Sequence, residues 1–573
     1  MLLALSFVLA GCGSAPGGPP TPEHPLGNVP STWPLFQEVE AVHGERAMVS
    51  SVHPLASDVG VTVLQNGGNA IDAAVAMGFA LAVVHPRAGN IGGGGFMVIR
   101  RADGTVQTLD FREVAPGAAT ADMYLDADGR VTDANEIGHL AVGVPGSVAG
   151  LAQAHERFGT LPFPDLVRPA VDLARDGHVV DTARSRTMAA KTADLSRFAA
   201  SRAQFLPGGQ APRPGTLWVQ PDLARTLQAI ADSGAAVFYE GYVADLIVAE
   251  MGRGGGIITH QDLSAYRPIW RDPIVAYYRG HAVYSMPPAS SGGVTMTEIL
   301  NILEGFAPLP RFGTAQHVHL LAEAMRRGFI DRNQLLGDPA FVDMPLRRLL
   351  SKRYAGELRR QILPDTATPT PRFAAGASEG NHTTHYSVVD GQGNAVSVTT
   401  TVNSDFGSKV TVTGAGFLLN NEMDDFTVAP GHPNQYGLVQ GEANAIAPGK
   451  RMLSAMTPTI VLDPAGELMM VLGTPGGPRI ITSVLQVISN VLDHGMSLAD
   501  AVAAPRVHHQ SLPDEIAYEP GGLLPATISR LQAMGHTLAE RSEYSGEIAA
   551  IQRGPNGWIG VVDPRVGGAA RGY

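Results

Sequence analysis

Two threonines are predicted to face each other where a segment of strand-like alternation begins. The sequence Asp-Gly-Gln-Gly-Asn at 390–394 suits a three-residue hairpin loop with Gly393 in the left-handed region. Counting back from that loop places Thr383 opposite Thr401 on one face of the hairpin, and a one-residue slip would move Thr401 to the other face. A threonine hydroxyl is a weak nucleophile without an adjacent base. Taken alone, the pattern therefore favours an ordinary strand threonine.

The backbone N–H groups of Gly476 and Gly477, in the sequence Pro-Gly-Gly at 475–477, are a second feature that could serve chemistry. Acyl transfer develops negative charge on an oxygen, and that charge needs hydrogen-bond donors. Gly476 and Gly477 have no side chain to screen their N–H groups. A tight turn is the commoner role of such a tripeptide, so it indicates acyl transfer only together with other residues.

The segment before residue 113 predicts a buried helix followed by a hairpin. Asn69 is a typical N-cap, and the helix after it is almost wholly apolar up to Pro86, which predicts burial on nearly all sides. The strands FMVIRR and VQTLDFRE are joined by an Ala-Asp-Gly turn, and the second strand ends at Arg112. The glycine run at 92–95 is not a phosphate-binding loop, because no Lys-Ser or Lys-Thr follows it.

The remaining elements are predicted from periodicity and from turn residues. Residues 137–360 are mainly helical, with a strand-like interruption at 274–286. Further strands are expected at 456–463 and 467–473, and helices over 478–492 and from near residue 498. Residues 364–382 are small, polar and proline-rich, which predicts an exposed linker ending at His382.

Composition excludes several classes of function. The chain has 573 residues and a net charge of −12, so it lacks the positive charge that nucleic-acid binding requires. Its single cysteine excludes an intrachain disulfide and cysteine-rich zinc or iron–sulfur sites. The pair His508-His509 is not expected to bind a metal, because adjacent strand residues point to opposite faces. No metal or cofactor is predicted.

The first residues resemble a lipoprotein leader. An apolar stretch of about ten residues is too short to span a bilayer and fits a secretory signal. Leu9-Ala10-Gly11-Cys12 resembles a bacterial lipobox, although the usual Lys or Arg at the start is missing. We therefore expect a signal over 1–12 that ends at a lipid-modified Cys12, followed by a flexible tether over 13–35.

Longer motifs identify a resemblance to a family. The chain resembles γ-glutamyltransferases, of the N-terminal-nucleophile hydrolase superfamily, from roughly residue 40 to Tyr573. The motifs occur in the family's order, and they are HPRAGNIGGGGFM (85–97), LDFREVAPGAAT (109–120), DRNQLLGDP (331–339), the segment opening NHTTHYSVVD (from 381), GFLLNNEMDDF (416–426), PNQYGLVQGEANAI (433–446), MLSAMTPTIV (452–461), GTPGGPRI (473–480) and APRVHHQ (504–510).

The resemblance implies a fold and a maturation step. The fold would be a four-layer αββα sandwich. The chain would cut itself between His382 and Thr383, leaving a large subunit, 36–382, and a small subunit, 383–573, as a heterodimer intertwined in one body. The cut would give Thr383 a free α-amine, whose ordinary pKa of about 7.7–8.0 suits a general base.

The resemblance also implies roles for individual residues. Thr383 would be the nucleophile, supported by Thr401, and Gly476 and Gly477 would form the oxyanion hole. The remaining matches concern the substrate. Arg112 and Ser454 would bind its carboxylate, with Ala455 where a second serine is common, and Asn403, Glu422 and Asp425 would bind its ammonium. Thr401 would also be among the substrate-binding residues, and Tyr436 would be the aromatic closer of a lid over 430–445.

The expected reaction is hydrolysis or transfer of γ-glutamyl groups. Glutathione and its conjugates would be the donors, with water or an amino acid or peptide as acceptor, in the periplasm or cell envelope. No nucleic-acid partner is expected, and the membrane would be contacted only through the lipid. One alternative is a cephalosporin or glutaryl acylase, which Ala455 favours and the lid opposes. Another is an uncleaved ligand-binding lipoprotein, which the intact Thr383 opposes.

The lipobox interpretation predicts lipid attachment at Cys12. In a bacterial host, radiolabelled palmitate should enter the protein, and Cys12→Ala should abolish the labelling because it removes the acceptor thiol. An unlabelled wild-type protein in the cytosol would contradict this prediction.

Overall fold

The computed structural model describes residues 27–34, 39–370, 383–429, 431–541 and 546–573. Within these ranges the strands, numbered in chain order, are β1 (Val42–Gly44), β2 (Met48–Ser51), β3 (Gly94–Arg100), β4 (Val106–Phe111), β5 (His178–Val179), β6 (Leu217–Trp218), β7 (Ile269–Arg271), β8 (Ile274–Tyr278), β9 (His281–Ser285), β10 (Thr383–Val389), β11 (Ala395–Thr401), β12 (Thr459–Leu462), β13 (Leu468–Gly473), β14 (Val507–His508), β15 (Ile516–Tyr518), β16 (Leu538–Glu540), β17 (Ala549–Gly554), β18 (Gly557–Val562) and β19 (Ala569–Gly572).

The α-helices of the same ranges are α1 (Pro54–Gln65), α2 (Ala70–Val84), α3 (Ser147–Phe158), α4 (Phe163–Asp176), α5 (Thr182–Ala190), α6 (Thr192–Ser196), α7 (Ala199–Phe205), α8 (Pro221–Ser233), α9 (Ala236–Tyr239), α10 (Tyr242–Gly254), α11 (His260–Ala265), α12 (Gly292–Glu304), α13 (Ala315–Leu335), α14 (Leu346–Leu349), α15 (Lys352–Arg359), α16 (Arg479–Leu492), α17 (Leu498–Ala503) and α18 (Pro525–Ala533). None of these helices is both long enough and apolar enough to cross a membrane.

Two seven-stranded antiparallel sheets form the centre of the molecule. One has the strand order β19-β2-β10-β11-β3-β4-β7, and the other has the order β1-β18-β17-β13-β12-β9-β8. Apolar residues of both sheets meet in a shared core, among them Val98 and Val389 from the first and Ile460 and Ile551 from the second. The two sheets are therefore stacked face to face.

Helices cover the two outer sheet faces. The outer face of the first sheet packs against a cluster that includes α1, α2, α4 and α8, and that of the second packs against α12, α13, α16 and α17. Along β10, Val388 faces the helices and Val389 faces the other sheet, as the alternation of a strand buried on both faces requires. The expected αββα sandwich is confirmed.

Strands from before and after Thr383 are interleaved in both sheets. In the first sheet β10 and β11 lie between β2 and β3, and β19 is the edge strand next to β2. In the second sheet β12, β13, β17 and β18 lie between β1 and β9. The segments on either side of the expected cleavage point therefore share both central sheets.

The local elements follow the sequence closely. Asn69 caps α2 through a capping box with Asp72, and all residues of α2 are buried. The hairpins β3–β4 and β8–β9, the strands β12 and β13 and the helices α16 and α17 lie where the periodicity places them.

The expected tether over 13–35 is wrong for its described part, residues 27–34. Trp33 is buried, and its indole N–H donates to the carbonyl of Ala503 at 3.0 Å. Burial of an indole stabilises this contact, so residues 27–34 lie on the body and are not a free spacer. Cys12 and residues 13–26 lie outside the described residues.

The expected exposed linker over 364–382 is partly wrong as well. Residues 363–366 are exposed, but Thr370 is buried, and its N–H donates to Asp514 Oδ2 at 2.9 Å. The N–H of Thr368 donates to Glu323 Oε1 at 2.9 Å. The chain is therefore attached to the body as far as Thr370, and residues 371–382, including His382, lie outside the described residues.

Candidate active site

Thr383 and Thr401 are directly paired at the start of the β10–β11 hairpin, as predicted. Their Oγ1 atoms lie 3.3 Å apart, and both residues are buried. At the other end the N–H of Asp390 donates to the carbonyl of Asn394 at 3.0 Å, and Gly393 has φ of +89°. The three-residue loop thus sets the register that brings the two hydroxyl groups together.

The two threonines belong to a row of polar side chains between the sheets. Ser387 and Ser397, on the same strand faces, donate to the carbonyls of Ala549 and Leu472 in the opposite sheet, both at 3.0 Å. These bonds hold the hairpin against the second sheet. The paired residues of the row are Thr383 with Thr401, His385 with Thr399, and Ser387 with Ser397.

Gly476 and Gly477 lie at the beginning of α16. Their φ angles are +134° and +54°, a region that favours glycine. A Cβ on Gly477 would lie 2.9 Å from the Tyr436 ring, so the position also lacks space for a side chain. Gly477 lines the cavity that contains Thr383, whereas Gly476 is not among the residues lining it. The N-terminal end of a 14-residue helix favours negative charge at this place.

Arg112 follows β4 and is fully buried among carboxylates. Its Nη1 donates to Glu422 and its Nη2 to Asp425, and Glu113 Oε2 lies 3.7 Å from Nη1. Its Nε donates to the carbonyl of Met452 at 3.2 Å. The cation and the two carboxylates expected to bind opposite charges of a substrate are therefore paired with each other in this structure.

Burial shifts the pKa values of Arg112 and of the carboxyl groups around it. Burial alone would lower the pKa of Arg112, but Glu422, Asp425 and Glu113 raise it above its ordinary value. Burial raises the pKa of Glu113 to about 7, with Arg112 opposing. Burial also raises the pKa of Glu422 and of Asp425. One guanidinium does not neutralise three carboxylates, so a second positive charge in the cavity would favour their ionised forms.

Ser454 and Ala455 form part of the wall of the cavity that contains Thr383. The Ser454 hydroxyl accepts the N–H of Met456 at 3.1 Å, and its carbonyl accepts the N–H of Ser291 at 2.8 Å. Both residues line the cavity. Ala455 thus presents a methyl group where a hydroxyl would add a donor.

The lid reaches the cavity through Tyr436. The tyrosine hydroxyl donates to the carbonyl of Asn403 at 2.9 Å and to its Oδ1 at 2.8 Å. Asn403 has φ of +74°, and its N–H donates to Thr401 Oγ1 at 2.9 Å. Burial raises the pKa of Tyr436, so its hydroxyl stays protonated. These bonds connect Tyr436 to Asn403 and, through Asn403, to the Thr401 hydroxyl beside Thr383.

The expected substrate residues lie around a single cavity. Its lining includes Arg112, Thr383, Thr401, Asn403, Glu422, Asp425, Tyr436, Ser454, Ala455 and Gly477. The cavity thus brings the hydroxyl groups of Thr383 and Thr401 together with the guanidinium of Arg112, two carboxylates and a tyrosine. Such an arrangement could hold a small zwitterion beside a nucleophile.

A sequence model of the gamma-glutamyltranspeptidase family matches residues 56–573. The chain belongs to the gamma-glutamyltranspeptidase family. It is 45% identical over 572 residues to the glutathione hydrolase proenzyme of Escherichia coli (strain K12), covering 98% of this chain and 97% of that protein. It is 50% identical over 549 residues to the glutathione hydrolase proenzyme of Pseudomonas sp. (strain A14), covering 93% and 95%.

The fold is similar to the crystal structure of cephalosporin acylase from Bacillus halodurans. The TM-score is 0.84 at 29% identity, covering 95% of this chain and 99% of that chain. Members of the gamma-glutamyltranspeptidase family and this acylase thus share the arrangement of layers described above.

The sequence analysis did not predict two charged residues at or beside this cavity, Arg332 and Glu113. Arg332 lines the same cavity, and Glu113 lies beside Arg112 with neither carboxylate oxygen hydrogen-bonded. Both stand inside motifs that carry the resemblance, 331–339 and 109–120. Membership of these motifs was the available signal, but only the packing shows that Arg332 reaches the cavity and that Glu113 lies beside Arg112.

The histidine pair at 508–509 makes ordinary structural contacts. His508 is hydrogen-bonded to Thr482 and Gln510, each at 2.9 Å, and His509 Nε2 lies 3.3 Å from Asp514 Oδ1. These different partners agree with opposite directions for the two rings.

A separate buried group has the composition of a metal site. His319, Glu323 and His536 place one potential ligand atom each within 4.8 Å of one another. Glu323 Oε2 accepts Arg327 Nη1 at 2.6 Å, and its Oε1 accepts the N–H of Thr368 at 2.9 Å. A guanidinium beside the carboxylate opposes a cation, so these side chains bind the chain near Thr368 instead.

The bonds of Tyr436 predict a measurable change in the lid. Tyr436→Phe should accelerate amide hydrogen exchange in peptides covering 431–445, because each lost hydrogen bond contributes about 1 kcal/mol to keeping the lid closed. The measurement is hydrogen exchange followed by mass spectrometry.

The matched control is Tyr277→Phe, since Tyr277 is 64% exposed and lies outside the lid. It should leave exchange in 431–445 unchanged. Equal exchange in Tyr436→Phe and the wild type would show that the hydroxyl does not hold the lid.

Proposed function

We propose that the protein hydrolyses γ-glutamyl amides, glutathione foremost, and transfers the γ-glutamyl group to water or to an amino acid or peptide. The reaction passes through a γ-glutamyl ester on Thr383, which self-cleavage between His382 and Thr383 activates. The observation that carries this proposal is the single buried cavity that combines Thr383 with Arg112 and the carboxylates of Glu422 and Asp425. The relatives named above bear the names of glutathione hydrolase proenzymes, which supports both parts.

The head group of a γ-glutamyl compound matches the charges of the cavity. Its carboxylate would be met by Arg112 and the Ser454 hydroxyl, and its ammonium by Glu422 and Asp425. In this structure Arg112 pairs with those same carboxylates. A zwitterion could exchange this ion pair for two new ones without adding net charge, which limits the cost of burial.

Formation of the ester would use the α-amine of Thr383 as base. The amine takes the hydroxyl proton while Oγ1 forms a bond to the γ-carbonyl carbon, and Thr401 Oγ1, 3.3 Å away, supports the attacking oxygen. The N–H groups of Gly476 and Gly477 would stabilise the oxyanion. The carbon–nitrogen bond then breaks, and the leaving amine takes the proton from the Thr383 ammonium.

Release of the product would repeat these steps with a new nucleophile. Water or an acceptor amine gives a proton to the α-amine of Thr383 and attacks the ester carbonyl. The carbon–oxygen bond to Thr383 breaks, and its hydroxyl regains a proton. Glutamate or a new γ-glutamyl compound leaves.

Maturation would use the same hydroxyl group. In the uncut chain Oγ1 of Thr383 attacks the carbonyl carbon of His382, the peptide bond becomes an ester, and water hydrolyses it. Two pieces result, 36–382 and 383–573, held together by the interleaved sheets.

A related acylase is the second candidate. Ala455 removes a donor for the head-group carboxylate, and the fold is similar to a cephalosporin acylase. The lid with Tyr436 over the cavity and the pairing of Arg112 with two carboxylates favour the γ-glutamyl substrate.

We also propose attachment to the cell envelope by a lipid on Cys12, which places the reaction in the periplasm. The lipobox sequence at 9–12 supports this location.

Thr383→Ala should stop both maturation and catalysis, because the hydroxyl that attacks in each step is lost. The wild type should give two bands on a denaturing gel and a new N-terminus reading TTHYSVVD by mass spectrometry. The variant should remain one chain without activity on a γ-glutamyl anilide. An active, uncut wild-type protein would contradict this mechanism.

Asp425→Asn should lower kcat/KM for a γ-glutamyl anilide by on the order of a hundredfold, because it removes a buried partner of the ammonium. For a glutaryl anilide, which lacks the amine, the loss should be far smaller. Arg112→Ala should impair both anilides, since both carry the carboxylate.

The variants should still cleave themselves, because that step involves no head group, and gels should show the two pieces. An equal loss on both anilides in Asp425→Asn would assign Asp425 a structural role. The acylase interpretation would then be favoured.

A further inference from the structure

Arg332 is a buried cation in the active-site cavity that the proposed chemistry does not use. It lies near the end of α13, is 1% exposed and lines the cavity together with Thr383 and Asp425. Burial lowers the pKa of Arg332 to about 10, with Asp425 opposing, so the guanidinium remains charged near neutral pH.

The hydrogen bonds of Arg332 go to neutral oxygens. Its Nε donates to Ser291 Oγ at 2.9 Å, and its Nη1 donates to Asn333 Oδ1 at 2.8 Å and to Gln440 Oε1 at 3.1 Å. Among the described residues no carboxylate lies within ion-pair distance of it, and none accepts a bond from its Nη2. Arg112, by contrast, has a carboxylate on each of its Nη atoms.

Arg332 lines the cavity and is linked by hydrogen bonds to both the Ser454 segment and the lid. Ser291, which accepts its Nε, donates through both N–H and Oγ to the carbonyl of Ser454, at 2.8 and 2.6 Å. Gln440, which accepts its Nη1, belongs to the lid and also donates to the carbonyl of Asp425 at 3.0 Å. The positive charge of Arg332 is therefore linked to Ser454 through Ser291 and to Asp425 through Gln440 of the lid.

We propose that Arg332 is a second cation of the glutamyl site, which selects donors with an α-carboxylate and compensates for the hydroxyl missing at Ala455. The inference rests on the proposed γ-glutamyl function. A buried charge without a counter-ion is unfavourable, and a substrate carboxylate beside Ser454 supplies that counter-ion. Arg112 alone would attract a substrate carboxylate less strongly, because its charge is already paired with two carboxylates of the protein.

The placement also explains how the pocket distinguishes the two ends of the zwitterion. Glu422 and Asp425 pair with Arg112, whereas Arg332 pairs with no carboxylate of the described residues and is linked through Ser291 to Ser454. The cavity therefore holds one cation that carboxylates neutralise and one that they do not. A substrate that has the amine but no carboxylate gains no electrostatic attraction from Arg332. A substrate that has the carboxylate but no amine gains all of that attraction.

The test compares three anilides: γ-glutamyl, glutaryl, which lacks the amine, and 4-aminobutyryl, which lacks the carboxylate. Arg332→Gln in the self-cleaved enzyme should lower kcat/KM for the first two by on the order of tenfold or more and leave the third nearly unchanged. Arg332→Lys keeps the charge and should preserve the wild-type ratio of glutaryl to 4-aminobutyryl activity.

Two further variants separate charge from packing. Arg327→Gln removes a buried arginine of α13 that is paired with Glu323 outside the cavity, and it should leave the ratio unchanged. Ser291→Ala removes the hydroxyl that accepts the hydrogen bond of Arg332 Nε but leaves the charge of Arg332 in place. It should therefore also preserve the ratio of glutaryl to 4-aminobutyryl activity.

A uniform loss on all three anilides in Arg332→Gln, or the same change of ratio in Arg332→Lys, would overturn the proposal. A wild-type enzyme inactive on the γ-glutamyl anilide would instead overturn the proposed function.

Discussion

The register of the β10–β11 hairpin controls the geometry of the whole site. Asp390 secures it at the closed end, where its carboxylate accepts the N–H groups of Gln392 and Asn394 and also that of Ala70, the first residue of α2. About seven residues, or roughly 24 Å of strand, separate this turn from Thr383. Because strand faces alternate, a slip of one residue at the turn would send the Thr401 hydroxyl to the helix side. The surroundings of Thr383 are therefore set by a carboxylate far from it.

The second constraint is the polar layer between the sheets. Most of the contact between the sheets is apolar, yet Ser387 and Ser397 donate to carbonyls across it. Such bonds have one correct geometry and leave unpaired polar groups if the sheets slide. They align Thr383 on one sheet with the 454–456 and 476–477 segments that continue from the other. A purely apolar interface would tolerate small shifts that this one does not.

The sequence predicted what depends on local chemistry. The turn at 390–394 was enough for the pairing of Thr383 with Thr401, and Asn69 was enough for the start of α2. Long motifs that resemble a known family also pointed to the substrate residues that line one cavity in the structure. Position along the chain does not reveal partners, however. The direct ion pair of Arg112 with Glu422, the reach of Arg332 into the cavity and the docking of Trp33 all depend on residues more than a hundred positions away.

Interleaving of the strands has a consequence for the energetics of the matured protein. Each main sheet takes hydrogen-bonded neighbours from both sides of Thr383, so neither piece contains a complete sheet or a complete core. Separation of the pieces would break the ladders between β10 and β2 and between β11 and β3. Dissociation and global unfolding are then the same event. Melting would then be a single cooperative transition despite the broken backbone, and its midpoint would rise with protein concentration, because the two pieces separate as they unfold.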